Sequence, residues 1–211
     1  MTIILQANVH RSLTADSLLT KLVMELRADI VIVSEQYRDK DGPNWIPDLL
    51  RTAAVWIPDT RKFLIERKGA ERGFAWVKSG RLTVVSIYLT PNERIEEFRQ
   101  KLEDLEDFLN QTEGDILVAG DFNARGQEWG MPTTDSRGRQ ILEMAARRGL
   151  YVANVGNTPT FRRPGHRGTI PDVTFATGTA FAKIKNWRVI EDYTGSDHQY
   201  IVFDLFDNFD E

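Results

Sequence analysis

Cysteine is missing from this chain of 211 residues, and histidine occurs only three times. The first absence excludes disulfide bridges, thiolate metal sites and a cysteine nucleophile, and it suits a reducing compartment. No apolar run approaches the roughly 18 residues a bilayer span requires. The opening MTIILQANVH has neither a basic flank nor a small-residue cleavage site. A soluble intracellular protein without a membrane partner is therefore expected. Linkers, internal repeats and low-complexity stretches are lacking too, which favours one domain over 1–211.

A large charge excess is also absent. The formal net charge is -4 and the pI about 5.5, values that do not by themselves suggest a nucleic-acid partner. The distribution says more. Seven arginines and one acid, Glu143, lie between Ser136 and Pro171, so that stretch carries +6 and the rest of the chain -10. From Glu93 to Asp115 nine acids meet three bases, as on the solvated side of a helix. An acidic body with one arginine-rich segment can meet a polyanion through that segment.

What is present is core-forming material: 41% hydrophobic residues and five tryptophans. The runs TIILQANV and DIVIVSEQY read as strands. Between them Ser12 or Thr14 caps a helix with Leu18, Leu19, Leu22, Val23 and Leu26 on one face. The stretch from Asp39 to Gly69 is broken by tryptophans and prolines and gives no clear element. GFAWVKSGRLTVVSIYLTPN is a hairpin turning at Ser79 and Gly80. Ile95, Phe98, Leu102, Leu105, Phe108 and Leu109 recur at helical spacing. A third helix is expected over Ser136 to Arg148, with Ile141, Leu142 and Ala145 inward and Gly149 at its C-terminal cap. Asn154 to Pro171 is a long polar loop or exposed hairpin, and PDVTFAT, NWRVI and HQYIVFDLF close the chain as strands. Two sheets packed face to face with helices outside fit this order, and a single mixed sheet also fits.

Polar residues sit at five strand ends: Asn8, Glu35, Asp121 with Asn123, Asp172, and Asp197 with His198. Each has an ordinary explanation as a cap, turn or surface charge, but their joint recurrence favours one assembled site. Hard oxygen donors without cysteine select Mg²⁺, with Mn²⁺ as a substitute, over zinc. Phosphate-ester hydrolysis uses such an array: charge neutralisation on the phosphoryl oxygens, a base for water, and a donor for the transition state. Neighbouring side chains on a strand face opposite ways, so His198 needs a carboxylate other than Asp197, and Asp172 is the candidate.

The segments QANVH, SEQY, SIYLTPN, GDFNA, IPDVTF and GSDHQYIVF resemble, in order and over residues 8 to 203, the endonuclease/exonuclease/phosphatase superfamily. That superfamily includes the apurinic/apyrimidinic repair endonucleases. Within it, LQANVHRS, VSEQY, EWG with DSRGRQILEM, and TPTFRRPGHRGTIPD are similar to the endonuclease domain of insect non-LTR retrotransposons that insert into ribosomal DNA or telomeric repeats. Ile170 and Pro171 stand where repair enzymes carry aromatic and basic residues before the Asp, a departure that argues against abasic-site recognition.

The resemblance implies an α/β fold, a four-layer sandwich of two mixed β-sheets flanked by helices. It implies Glu35 as metal ligand with Asn8 assisting and Asp197 near the metal. Asp121 would activate water beside Asn123, His198 would stabilise the transition state held by Asp172, and Tyr88 would contact the phosphate. Arg162, Arg163, His166 and Arg167 would bind DNA, with Thr160 and Asn154 lining the cleft. The implied activity is Mg²⁺-dependent nicking of double-stranded DNA, leaving a 3′-hydroxyl that primes reverse transcription, with telomeric repeats as a candidate target. A covalently linked reverse transcriptase domain in a larger polyprotein and a nuclear location follow from the same likeness. The alternatives are an abasic-site repair nuclease or phosphoesterase of the same fold, and a catalytically silent DNA-targeting module.

Overall fold

A computed structural model describes residues 1–206; the last five residues of the expected domain lie outside it. Two six-stranded sheets pack face to face. The first is built from β1 (Thr2–Asn8), β2 (Ile30–Ser34), β3 (Trp45–Pro47), β4 (Ala53–Trp56), β11 (Ile184–Ile190) and β12 (Tyr200–Leu205), in the order β11-β12-β1-β2-β4-β3. The second contains β5 (Arg67–Ala70), β6 (Phe74–Ser79), β7 (Leu82–Tyr88), β8 (Asp115–Asp121), β9 (Leu150–Val152) and β10 (Asp172–Thr177), in the order β5-β6-β7-β8-β10-β9. Both are mixed: β1 runs parallel to β2 and β7 to β8, and the other pairings are antiparallel.

Three apolar cores separate four layers. Helix α1 (Leu13–Leu26) lays Ala15, Leu19 and Val23 on the outer face of the first sheet. Ser12 caps it by accepting from the Ala15 N–H at 3.2 Å, an interaction worth about 1 kcal/mol. Between the sheets, Ile4, Ile30, Ile32 and Val55 meet Val77, Val84, Leu117 and Ala119. On the far side α2 (Ile95–Asn110) and α3 (Ser136–Arg147) cover the second sheet with Phe98, Leu102, Leu105, Ile141, Met144 and Ala145. The helical periodicity thus marks the buried faces, although Met144 takes the inward place and Leu142 is only partly buried. Asp135 caps α3 through the Gly138 N–H at 2.7 Å.

The unclear segment after Asp39 holds β3, β4 and β5, each of three or four residues, too short for periodicity to register. Strand β9 and the six-residue helix α4 (Gly178–Lys183) are further short elements that the sequence pattern does not mark. Among the described residues no helix is long and apolar enough to cross a membrane.

A buried polar layer pins the sheets together just beneath one edge. The Gln6 amide donates to the Gly120 and Val173 carbonyls at 3.3 Å, and the Thr174 hydroxyl donates to Gln6 Oε1 at 2.9 Å. Ser86 donates to Val33 O at 3.1 Å. Such groups are costly to bury unsatisfied, so these bonds fix the relative position of the sheets. Gly120 is needed here for a second reason. Its φ is 153°, and a Cβ would run into the Ile87 carbonyl oxygen of the neighbouring strand.

Candidate active site

At that edge five strand ends converge. In register, Tyr88 on β7 lies beside Asp121 on β8, and Asp121 beside Asp172 on β10. Facing them from the first sheet, Asn8 ends β1 and Ser34 of β2 leads into Glu35. The Asn8 amide bridges the two sheets, donating to Glu35 Oε2 at 3.0 Å and to Asp121 Oδ2 at 2.8 Å. Its own oxygen accepts the His10 N–H at 2.8 Å, which fixes the amide's orientation.

Glu35 occupies left-handed backbone space at φ 50°, costly for a residue with a Cβ. Its N–H donates to Thr52 O at 2.7 Å and its carbonyl accepts from Arg11 at 2.8 Å, so the surrounding chain holds the conformation. Strain maintained in this way concentrates at functional positions.

His198 is 3% exposed. Its Nδ1 lies 2.9 Å from Asp172 Oδ2, and its Nε2 faces Asp121 Oδ2 at 3.8 Å. The same Asp172 oxygen accepts the Thr160 hydroxyl at 2.6 Å. Ser196 ties this loop to β1, donating to Asn8 O at 2.9 Å while accepting the His198 N–H at 3.1 Å. The Phe161 ring packs edge-on against the imidazole, with centroids 5.0 Å apart.

Electrostatics follow from this crowding. Burial, then the negative charge of Asp172, drives the Asp121 pKa up to about 7, against the opposing pull of His198. For His198 burial works against the charged form, but Asp172, by charge and hydrogen bond, outweighs it, with Asp121 and Glu35 adding to the effect. The imidazole pKa rises to about 9. Burial, followed by the Glu35 and Asp121 charges, pushes the Tyr88 phenol upward, so it remains a hydrogen-bond donor at neutral pH.

Glu35, Asp121 and His198 each offer a ligand atom within 4.8 Å of the others, a cluster able to hold a metal ion. Two carboxylates pressed together, one with a raised pKa, suit a hard divalent cation that would offset their repulsion. The cluster opens into a cleft of about 480 Å³ lined also by His10, Tyr88, Asn92, Asn123, Arg125, Phe161, Arg163 and Pro171.

Of the residues expected from sequence, Asn8, Glu35, Tyr88, Asp121, Asn123, Asp172 and His198 come together here. Asn123 does so from beyond the strand: β8 stops at Asp121, and Asn123 turns at φ 45°, with its amide donating to Leu89 O at 2.8 Å. Asp197 is not in the cluster. Adjacent to His198, it faces the other way and accepts Arg163 Nε at 2.7 Å. Thr160 is fully buried and does not line the cleft; it supports Asp172. Asn154 also lies off the cleft wall, clamping β10 by donating to Asp172 O at 3.0 Å and accepting from Thr174 N–H at 2.8 Å.

The arginine-rich segment is exposed at Arg162, Arg163, His166 and Arg167. A Phe161–Thr169 bridge makes it hairpin-like at its base. Arg162 pairs with Glu191 at 2.6 Å, and Arg163 lies over the Phe161 ring at 5.2 Å. His10, Arg125, Phe161 and Ser196 are contributors that strand-end reasoning misses. His10 had one available signal, as one of only three histidines directly after QANV.

The sequence model of the endonuclease-reverse transcriptase family matches residues 82–202. No curated protein sequence matches the chain. Among solved structures, the endonuclease domain of TRAS1, a telomere-specific non-LTR retrotransposon, superposes with a TM-score of 0.81 at 25% identity, covering 99% of this chain and 100% of that one. The 3′ phosphatase NExo from Neisseria bound to a product DNA hairpin gives 0.73 at 16% identity, covering 98% and 100%. An AP endonuclease from Archaeoglobus fulgidus gives 0.73 at 15%, covering 97% and 99%. The chain belongs to the endonuclease-reverse transcriptase family, as a hydrolytic endonuclease domain with the two-sheet fold shared by AP endonucleases.

Proposed function

We propose that this domain nicks double-stranded DNA with a divalent metal, Mg²⁺ by preference and Mn²⁺ as a substitute, leaving a 3′-hydroxyl that primes reverse transcription. The observation that carries the reading is the position of His198, held by Asp172 on one ring nitrogen and facing Asp121 with the other, in the cleft that also holds Glu35. Glu35 would hold the cation, with its carboxylate positioned by the Asn8 NH2, and the cation would supply charge neutralisation at the phosphoryl oxygens.

The chain's own groups do the rest. Asp121, with a pKa of about 7, exchanges a proton near neutral pH, as a base for the attacking water requires. Asn123 keeps that water and the phosphate in line. The cationic imidazole of His198 and the phenol of Tyr88 donate to the transition-state oxygens. Asp172 and Thr160 orient the imidazole and make no substrate contact.

Arg163 and Arg167, with Arg162 and His166, meet the DNA backbone beside the cleft. Pairing with Glu191 and Asp197 preorganises two of these arginines. A target in telomeric repeats, a linked reverse transcriptase domain in a longer polyprotein, and a nuclear location complete the reading, supported by the family match and the likeness to the TRAS1 domain. The test is to map cuts on duplexes carrying telomeric repeats or ribosomal DNA and then supply a polymerase. Extension from each nick without end repair is expected. Ends that cannot be extended would reject the priming role.

A further inference from the structure

The opposite edge of the second sheet ends in another cavity, of about 370 Å³, lined by Arg67, Trp76, Lys78, Thr83, Phe108 and Gln111 among others. Thr83 and Tyr88 sit toward opposite ends of β7, roughly 17 Å apart at the usual strand rise, so this cavity is separate from the nicking cleft.

Three features are unexplained by folding alone. Arg67 and Lys78 stand directly opposite each other across β5 and β6, where like charges repel. Neither forms a salt bridge to a carboxylate among the described residues. Next in line across the sheet, Thr83 on β7 stands directly opposite Lys78, is 1% exposed, and its hydroxyl has no hydrogen-bond partner among the described residues. Beside these polar groups is an aromatic wall. Trp76 lies over Gly69, where a Cβ would stand 2.6 Å from the indole, and its ring is 5.0 Å from that of Phe108.

We propose that this cavity binds one nucleotide of a single-stranded nucleic acid. Arg67, Lys78 and the Thr83 hydroxyl take the phosphate, and Trp76 with Phe108 take the base. Paired cations suit a phosphate, while aromatic faces accept any unpaired base. A duplex, whose bases are stacked away, offers the wall nothing. Glu113 on the rim and the acidic face of α2 repel a long polyanion, which restricts the site to a nucleotide or two.

Fluorescence anisotropy with short labelled oligothymidylate and oligouridylate tests this on the His198→Ala protein, which leaves the probes intact. The paired change Arg67→Gln/Lys78→Gln should weaken binding at least tenfold while leaving the melting temperature equal or higher, because it removes a repulsion. Thr83→Val should weaken binding about fivefold without loss of stability, and Trp76→Leu about tenfold. A preference for one probe identifies the strand as DNA or RNA. In the His198 protein with no other change, thymidine monophosphate should compete far better than inorganic phosphate. Equal affinity in the glutamine pair and its parent would overturn the proposal, as would equal competition by phosphate. Duplex nicking by the glutamine pair with His198 intact should be unchanged; a tenfold loss would overturn the independence of the two sites.

Discussion

The imidazole of His198 and the carboxylate of Asp121 face each other at 3.8 Å, although Asp121 ends β8 of the second sheet and His198 lies in the loop that leads into β12 of the first. Their separation is set from behind, by Asp172 on the imidazole and by the Asn8 amide on the carboxylate. The site is therefore as rigid as the packing between the sheets.

Removing the support behind the imidazole should disable it without emptying the cleft. Asp172→Asn is expected to slow nicking about 100-fold or more, the range of a lost acid–base contribution, and to lower the His198 pKa. Thr160→Val should act in the same direction more weakly. Single-turnover nicking and an NMR titration of the imidazole measure both effects.

Stability should depend on pH and metal together. Asp121 has a folded pKa of about 7 against an ordinary 3.8, and His198 about 9 against 6.5. Both are raised, so each contribution is complete below the unfolded pKa and is lost as pH rises through the folded one. Without metal, the melting temperature should fall from pH 6 to pH 9. Added Mg²⁺ should flatten that fall, because a bound cation favours the deprotonated carboxylate. Melts in EDTA and in Mg²⁺ across this window provide the comparison.

Gly120→Ala would place a methyl group against the Ile87 carbonyl in the layer that pins the sheets. A loss of at least about 2 kcal/mol is expected, as for other backbone clashes, read as a lower urea midpoint. An unchanged midpoint would show that the sheets can separate at this edge without cost.

Much of the site was legible because strand ends leave a sequence signature: an apolar run followed by a polar residue. Asn8, Glu35, Asp121, Asp172 and His198 each follow or precede such a run. Strand alternation sets Asp197 aside as the partner of His198 and leaves Asp172 as a candidate, which the family resemblance then singles out. What could not be read depended on contacts between distant loops. The resemblance puts Thr160 on the cleft wall, whereas the bridge from Phe161 to His198 brings it behind the imidazole, to Asp172. Asp197 turns outward to an arginine 34 positions away. The same limit hid β3 to β5 and α4, whose few residues are held by neighbours in space.

Arg163 and Arg167 should contribute to DNA affinity through charge. Alanine at both should weaken binding across all sequences and reduce the slope of log affinity against log salt by roughly 2. Binding isotherms at several salt concentrations measure the slope. An unaltered slope would place the DNA path elsewhere.

Conversion of supercoiled plasmid to open circle is the most direct measurement. The wild-type domain should nick in Mg²⁺ and not in EDTA, and Asp121→Ala and His198→Ala, both folded by circular dichroism, should lose the activity at least about 100-fold. Plasmid left supercoiled by the folded wild-type protein in Mg²⁺, or cut equally well by either variant, would contradict the account.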